Sequence, residues 1–206
     1  MDVATLSRFF ALLALVAGGG AVVVGASALA RRGPLAELRA ALAPIALPLA
    51  GAVATVCMAG SLYFSEVAHY VPCRLCWYQR IAMYPLVLLL GIAAVRRDVA
   101  IRLYAIPLAA IGAGVSIYHV QLERFPEQAT FCSLEAPCNV PPVQQFGFVT
   151  IAVMALCGFV AIVALLAVAR PPRSPANASG AEHVGAGAVG TPDDASDDTS
   201  DKELVR

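Results

Sequence analysis

The chain has 206 residues, 59% hydrophobic and 14% charged, with a mean hydropathy of +0.75 and a formal net charge of zero. That composition excludes a water-soluble globular domain and points to a membrane protein. With no net positive charge, there is no electrostatic footprint of a nucleic-acid binder.

Five apolar runs, 9–30, 40–65, 81–95, 103–120 and 146–169, are long enough or nearly so to cross a bilayer, which takes roughly 20 helical residues. The third and fourth are short. The third extends back to Trp77 if Arg80 is tolerated, and Trp77, Tyr78 and Tyr104 suit the membrane–water interface. The first run follows Arg8 and ends in Ala26-Ser27-Ala28-Leu29-Ala30, which has features of a signal peptide, but it is long for one. It is expected to be retained as a helix.

Arginines set the orientation. Arg31, Arg32 and Arg39 follow the first run, Arg96, Arg97 and Arg102 the third, and Arg170 and Arg173 the fifth. By the positive-inside rule these segments are expected on the cytoplasmic side. Cleavage after the first run would leave Arg31 and Arg32 on the wrong side. The expectation is an all-α membrane protein: a four-helix transmembrane bundle with one additional N-terminal transmembrane helix. Residues 1–39 carry the extra helix and a linker, and 40–169 the core. Residues 170–206, rich in Pro, Gly, Ser and Asp, form an acidic tail with too little apolar area to offset ordering entropy.

Four of the six cysteines, Cys73, Cys76, Cys132 and Cys138, fall on the outward side in this topology, where disulfides form and persist. Cys57 and Cys157 lie deep in apolar runs and read as small buried hydrophobes. Pro72 announces a helix start. Cys73 and Cys76 would then share its first turn, close enough to bridge, where the helix N-terminus and nearby arginine stabilise a thiolate. Arg80 falls on the same stripe, about one turn deeper than Cys76. An arginine in a span costs at least about 2.5–3.5 kcal/mol on insertion scales, which makes it a functional candidate. A quinone becomes anionic on reduction, and a fixed cation beside it would stabilise that charge. His119, at a similar depth on the fourth run, is a candidate hydrogen-bond donor to a quinone carbonyl. His69 reads as solvated surface, and Gln79, about 100° around the helix from Arg80, carries little weight.

Plainer readings exist for each feature. The CxxC pair can be a structural disulfide, or one half of a four-cysteine zinc site with Cys132 and Cys138. Arg80 can snorkel to headgroups. Cys132–Cys138 can be a loop staple. Two cysteine pairs on one face weigh against these, because two pairs can pass electrons between an aqueous partner and a lipid-soluble acceptor.

The stretch Pro72-Cys73-Arg74-Leu75-Cys76-Trp77-Tyr78-Gln79-Arg80-Ile81-Ala82-Met83-Tyr84-Pro85 resembles the signature of the DsbB family of disulfide bond formation proteins, particularly its Gram-positive branch, often called BdbC. The resemblance covers roughly residues 40–169. It implies a four-helix bundle holding a quinone, ubiquinone or menaquinone, in a bacterial cytoplasmic (inner) membrane. Cys73 and Cys76 resemble the pair that reduces the quinone, with Cys76 nearest it. Arg80 matches the arginine that contacts the quinone. Cys132 resembles the cysteine that meets the partner, an extracytoplasmic thioredoxin-fold oxidase of the DsbA type, and Cys138 would attack Cys73. No metal is implied. The loop pair is closer together than in the proteobacterial type, which argues against a separate helix in that loop. A vitamin K epoxide reductase-like protein has the loop pair earlier in the chain, the reverse of the order here. A non-enzymatic membrane protein with structural disulfides is the remaining alternative.

Overall fold

A computed structural model describes residues 3–30, 32–128 and 137–170. Six α-helices follow in chain order: α1 Val3–Leu29, α2 Pro34–Leu42, α3 Ala46–Leu62, α4 Arg74–Arg96, α5 Arg102–Arg124 and α6 Ile151–Val168. Five helical segments are long and apolar enough to cross a membrane; α3 and α5 reach that length with their short π and 3-10 extensions. Cys132 and the tail from 171 onward lie outside the described residues.

Element boundaries follow local chemistry. The stretch expected as a linker forms α2 across the 39/40 boundary, because Pro34 stands at its start and good helix formers follow. The second run is interrupted at 43–45, where Pro44 has no N–H to donate to a helical ladder. Helix α3 continues as a π-helical turn, Tyr63–Val67. Helix α4 begins at Arg74, seven residues ahead of the apolar run, and ends at Arg97 in left-handed geometry (φ 55°). A 3-10 turn at Val99–Ile101, capped by Asp98, leads directly into α5. The last run becomes helical only at Ile151, because Phe146 and Gly147 (φ 52° and 78°) make the tight turn between β1 (Gln144–Gln145) and β2 (Val149–Thr150). Between α5 and α6 the described residues hold only a 3-10 turn and this small antiparallel hairpin.

Packing closes a ring. Helices α3, α4, α5 and α6 each pack on the next, and α6 returns to α3. The core is built from small and branched residues, among them Ala46, Ala50, Leu86, Leu90, Ala109 and Ile162. Lipid tails are as apolar as leucine, so helix association rests on close approach and shape rather than on hydrophobic transfer. Gly112 shows this: a Cβ there would collide with the ring of Phe159, which is fully buried. Helix α1 stands outside the ring but packs extensively on α6. Gly18 admits the Cys157 side chain, whose Sγ would sit 2.9 Å from a Cβ at that position. Phe10 meets Tyr63 and Phe64 at the other end of α1.

The two ends of the bundle differ. Arg39, Arg96, Arg97, Arg102 and Arg170 gather at the end where α4 finishes and α5 starts. The backbone N–H of Arg170 donates to the Ala43 carbonyl, and Arg39 donates to the Ala28 carbonyl. The CxxC pair lies at the opposite end.

Candidate functional site

Cys73 is the N-cap of α4. Its backbone is extended (φ −70°, ψ 170°), and its Sγ accepts from the Cys76 N–H at 3.4 Å. The first turn thus supplies a backbone donor to this sulfur, as a helix N-terminus does for an anion. Cys73 and Cys76 are free thiols with their Sγ atoms 3.1 Å apart. His119 Nε2 lies 3.7 Å from Cys73 Sγ. The Cys73 thiol is held well below its ordinary range, first by the hydrogen bond from Cys76 and then by His119, while burial opposes both.

Arg80 lies one turn deeper than Cys76, but its guanidinium turns toward α3. Nε donates to Ser61 Oγ and an Nη to the Ser61 carbonyl, each at 2.9 Å. The guanidinium carbon sits 5.3 Å from the centre of the Trp77 ring. These contacts hold a charge within the span that water would otherwise have to reach.

Gln79 faces the other way, toward α5, and is buried. Its Nε2 donates to Ser116 Oγ at 3.0 Å and lies 3.5 Å from His119 Nδ1. The angular offset from Arg80 that gave Gln79 little weight is what brings it into the site. The pair sits between two neighbouring helices, and one residue serves each side. Glu123, another residue the motif did not single out, is one turn beyond His119 with its side chain 8% exposed. Thr150, the N-cap of α6, donates to it at 2.7 Å. A carboxylate four residues after a histidine in the last turn of a span is a signal the sequence carried.

Cys138 is buried, disulfide-bonded, and shares a small cluster with Cys73, Leu75 and Leu122. A sulfur in a disulfide is no thiolate, so with Cys138 bonded as it is here it offers no ligand to a metal. His69 is exposed, as expected. Cys57 and Cys157 are free and partly buried within the spans.

A cavity of about 790 Å³ begins at Cys73, Cys76, Gln79, Arg80 and His119 and continues between α1, α3 and α6. Its deeper walls are apolar and largely small: Ala14, Ala17 and Gly20 on α1, and Ala52, Val53 and Val56 on α3. Helix α1, expected as an addition to the core, is one wall of this space.

Residues 43–169 match the family model described as "Disulfide bond formation protein DsbB". The chain is similar to disulfide bond formation protein C of Bacillus subtilis (strain 168), at 43% identity over 124 residues, 59% of this chain and 90% of that protein. It is similar to a probable disulfide formation protein of Oceanobacillus iheyensis, at 47% over 115 residues, 54% of this chain and 79% of the relative. It also resembles probable disulfide formation protein C 1 of Bacillus cereus (strain ATCC 10987), at 49% over 106 residues, 50% of this chain and 76% of the relative. No solved structure matches the chain. Helix α1 lies outside the matched region.

Proposed function

The chain belongs to the DsbB family of disulfide bond formation proteins and is a membrane oxidoreductase; from that premise we propose that it takes electrons from an extracytoplasmic thioredoxin-fold thiol oxidase through two cysteine pairs to a membrane quinone. The observation that carries this reading is one juxtaposition. A free CxxC pair and the disulfide-bonded Cys138 share a buried cluster, and that cluster opens on an apolar cavity with Arg80 at its mouth.

The relay runs on exchange. A thiolate of the reduced partner attacks Cys132 of a Cys132–Cys138 disulfide, and the partner's second thiolate resolves the mixed disulfide, so the partner leaves oxidised. The Cys138 thiolate then attacks Cys73 of an oxidised Cys73–Cys76 pair and releases Cys76 as a thiolate. Cys132 resolves the Cys138–Cys73 bond, which leaves the loop pair oxidised and Cys73–Cys76 reduced. Each step exchanges one S–S bond for another and needs only proximity and thiolate character. The N-cap position and His119 supply that character at Cys73.

The cavity fits a quinone: it joins a polar corner to a long apolar cleft, as a redox ring bearing an apolar chain requires. Arg80, Gln79 and His119 would hold the ring. A quinone bound there supplies the two-electron acceptor that returns Cys73–Cys76 to a disulfide. Ser61 and Trp77 keep the Arg80 charge in place beside Cys76, where anionic charge develops. The arginine-rich opposite end supports a multi-pass placement in the bacterial cytoplasmic membrane with the redox cysteines facing out.

Purified protein given a reduced thioredoxin-fold partner and a quinone is expected to reduce the quinone, and Cys76→Ser to abolish turnover. Full turnover in both Cys73→Ser and Cys76→Ser would sink the relay.

A further inference from the structure

Glu123 is a buried carboxylate to which the relay assigns no task. The Thr150 hydroxyl oxygen accepts from the Val153 N–H at 3.3 Å, and its proton goes to Glu123 Oε2 at 2.7 Å. That commits Oε2 as an acceptor. The other oxygen, Oε1, faces His119 Nε2 at 4.0 Å.

The neighbours of His119 fix where its proton sits. Ser116 spends its hydroxyl proton on the Gly112 carbonyl at 2.9 Å, so toward Gln79 its oxygen can only accept. The Gln79 group beside it is therefore the NH2 end of the amide. That same nitrogen approaches His119 Nδ1 at 3.5 Å, so Nδ1 is the acceptor and the ring proton lies on Nε2. His119 thus has one N–H and two claimants. Cys73 Sγ, at 3.7 Å, is within reach for sulfur. Glu123 Oε1, at 4.0 Å, is just beyond a hydrogen bond.

We propose that Glu123 is a positioning residue that competes with Cys73 for the single Nε2–H of His119, so that this hydrogen bond follows the redox state of the Cys73–Cys76 pair. With the pair reduced, as in this structure, the donor serves the Cys73 sulfur. With the pair oxidised, the disulfide sulfur is a poor acceptor and the ring turns to Oε1. The buried donor is then paired in both states, which avoids the cost of an unsatisfied N–H. A thiolate and a carboxylate flanking one donor also disfavour each other, so Glu123 limits how far Cys73 is stabilised as a thiolate. No covalent bond changes and no electron moves in the switch itself. The other charges near the site are Arg124, after Glu123 on α5, and Arg80, which acts on Cys76 from α4. Among the described residues Thr150, the N-cap of α6, hydrogen-bonds the carboxylate. The inference rests on Cys73–Cys76 being the redox pair of the proposed relay.

The test uses the full-length protein and the substitutions Glu123→Gln and Glu123→Asp. In Glu123→Gln the single carbonyl oxygen takes the Thr150 hydroxyl proton, and the NH2 group left toward His119 cannot accept its N–H. Thiolate formation at Cys73, followed by ultraviolet absorbance of the reduced protein, should move to lower pH by about one unit. The pair should also become more oxidising against a glutathione buffer, because its reduced form is stabilised. Glu123→Asp keeps the charge and should keep the wild-type profile. In wild-type protein, NMR of isotope-labelled histidine should show a different Nε2–H environment at His119 in the oxidised and reduced forms, a readout that needs no variant to fold. An unmoved or oppositely moved profile in Glu123→Gln, the same shift in Glu123→Asp, or an identical His119 signal in both forms overturns the role of Glu123. A Cys73–Cys76 pair with no measurable redox equilibrium would instead overturn the relay.

Discussion

Cys73 is acidic first because its sulfur shares a hydrogen bond with the Cys76 side chain, and then because of His119, with the backbone of the first turn adding the least. As an N-cap it takes an N–H from the first turn, and its sulfur also faces Cys76 and His119. Its folded-state pKa is lowered to about 4, against ~8.5 for an unfolded thiol. The sign of the linkage follows. The stabilising contribution of this group to the reduced protein is fully present above the unfolded value and is lost as pH falls through the folded one. Titration of the reduced protein should therefore show one thiolate persisting well below pH 7, with denaturant resistance falling as that thiolate is protonated. Replacing His119 with Ala should move the thiolate titration to higher pH. A titration in the ordinary thiol range for wild type would contradict the geometry.

At the scale of the element, α1 is the instructive case. Its composition marks it as a span, and its place before the matched region marks it as an appendage. Packing makes it the wall of the cavity that opens on Cys73 and Cys76. The stripe Ala14, Ala17 and Gly20 keeps that wall thin, so added volume there should fill the space. Ala17→Phe is expected to raise the KM for a quinone with a long apolar chain about tenfold, the cost of roughly 1.4 kcal/mol of lost binding, and to leave a chainless quinone little affected. Val22→Phe, at a position 70% exposed on the same helix and outside the cavity lining, is the control and should change neither. Steady-state kinetics with the two quinones decides between a wall and a bystander.

Across the described residues, Arg39, Arg96, Arg97, Arg102 and Arg170 gather at one end of the helical ring and the Cys73–Cys76 pair lies at the other. If the arginine end faces the cytoplasm, a cysteine introduced at Val71 should react with a membrane-impermeant maleimide in intact cells. One introduced at Arg96 should react only after permeabilisation. The reverse pattern would invert the topology and place the CxxC pair in a reducing compartment, where a disulfide relay has no driving force.

The sequence by itself determined the membrane spans and singled out two cysteine pairs, Arg80 and His119 as candidates. These depend on hydropathy, helical period and a contiguous motif, all local properties. Only the tertiary structure decided how those side chains pair. Arg80 is held by Ser61 across a helix interface, His119 meets Cys73 rather than standing apart, and Gln79, Ser116, Glu123 and Thr150 complete the site from α4, α5 and β2. Such partners are distant in the chain, and no one-dimensional period encodes which face of α4 meets α5 and which meets α3. The same holds for α1: its apolar length made it a membrane helix, but its role as a wall exists only because Gly18 lets it pack closely on α6.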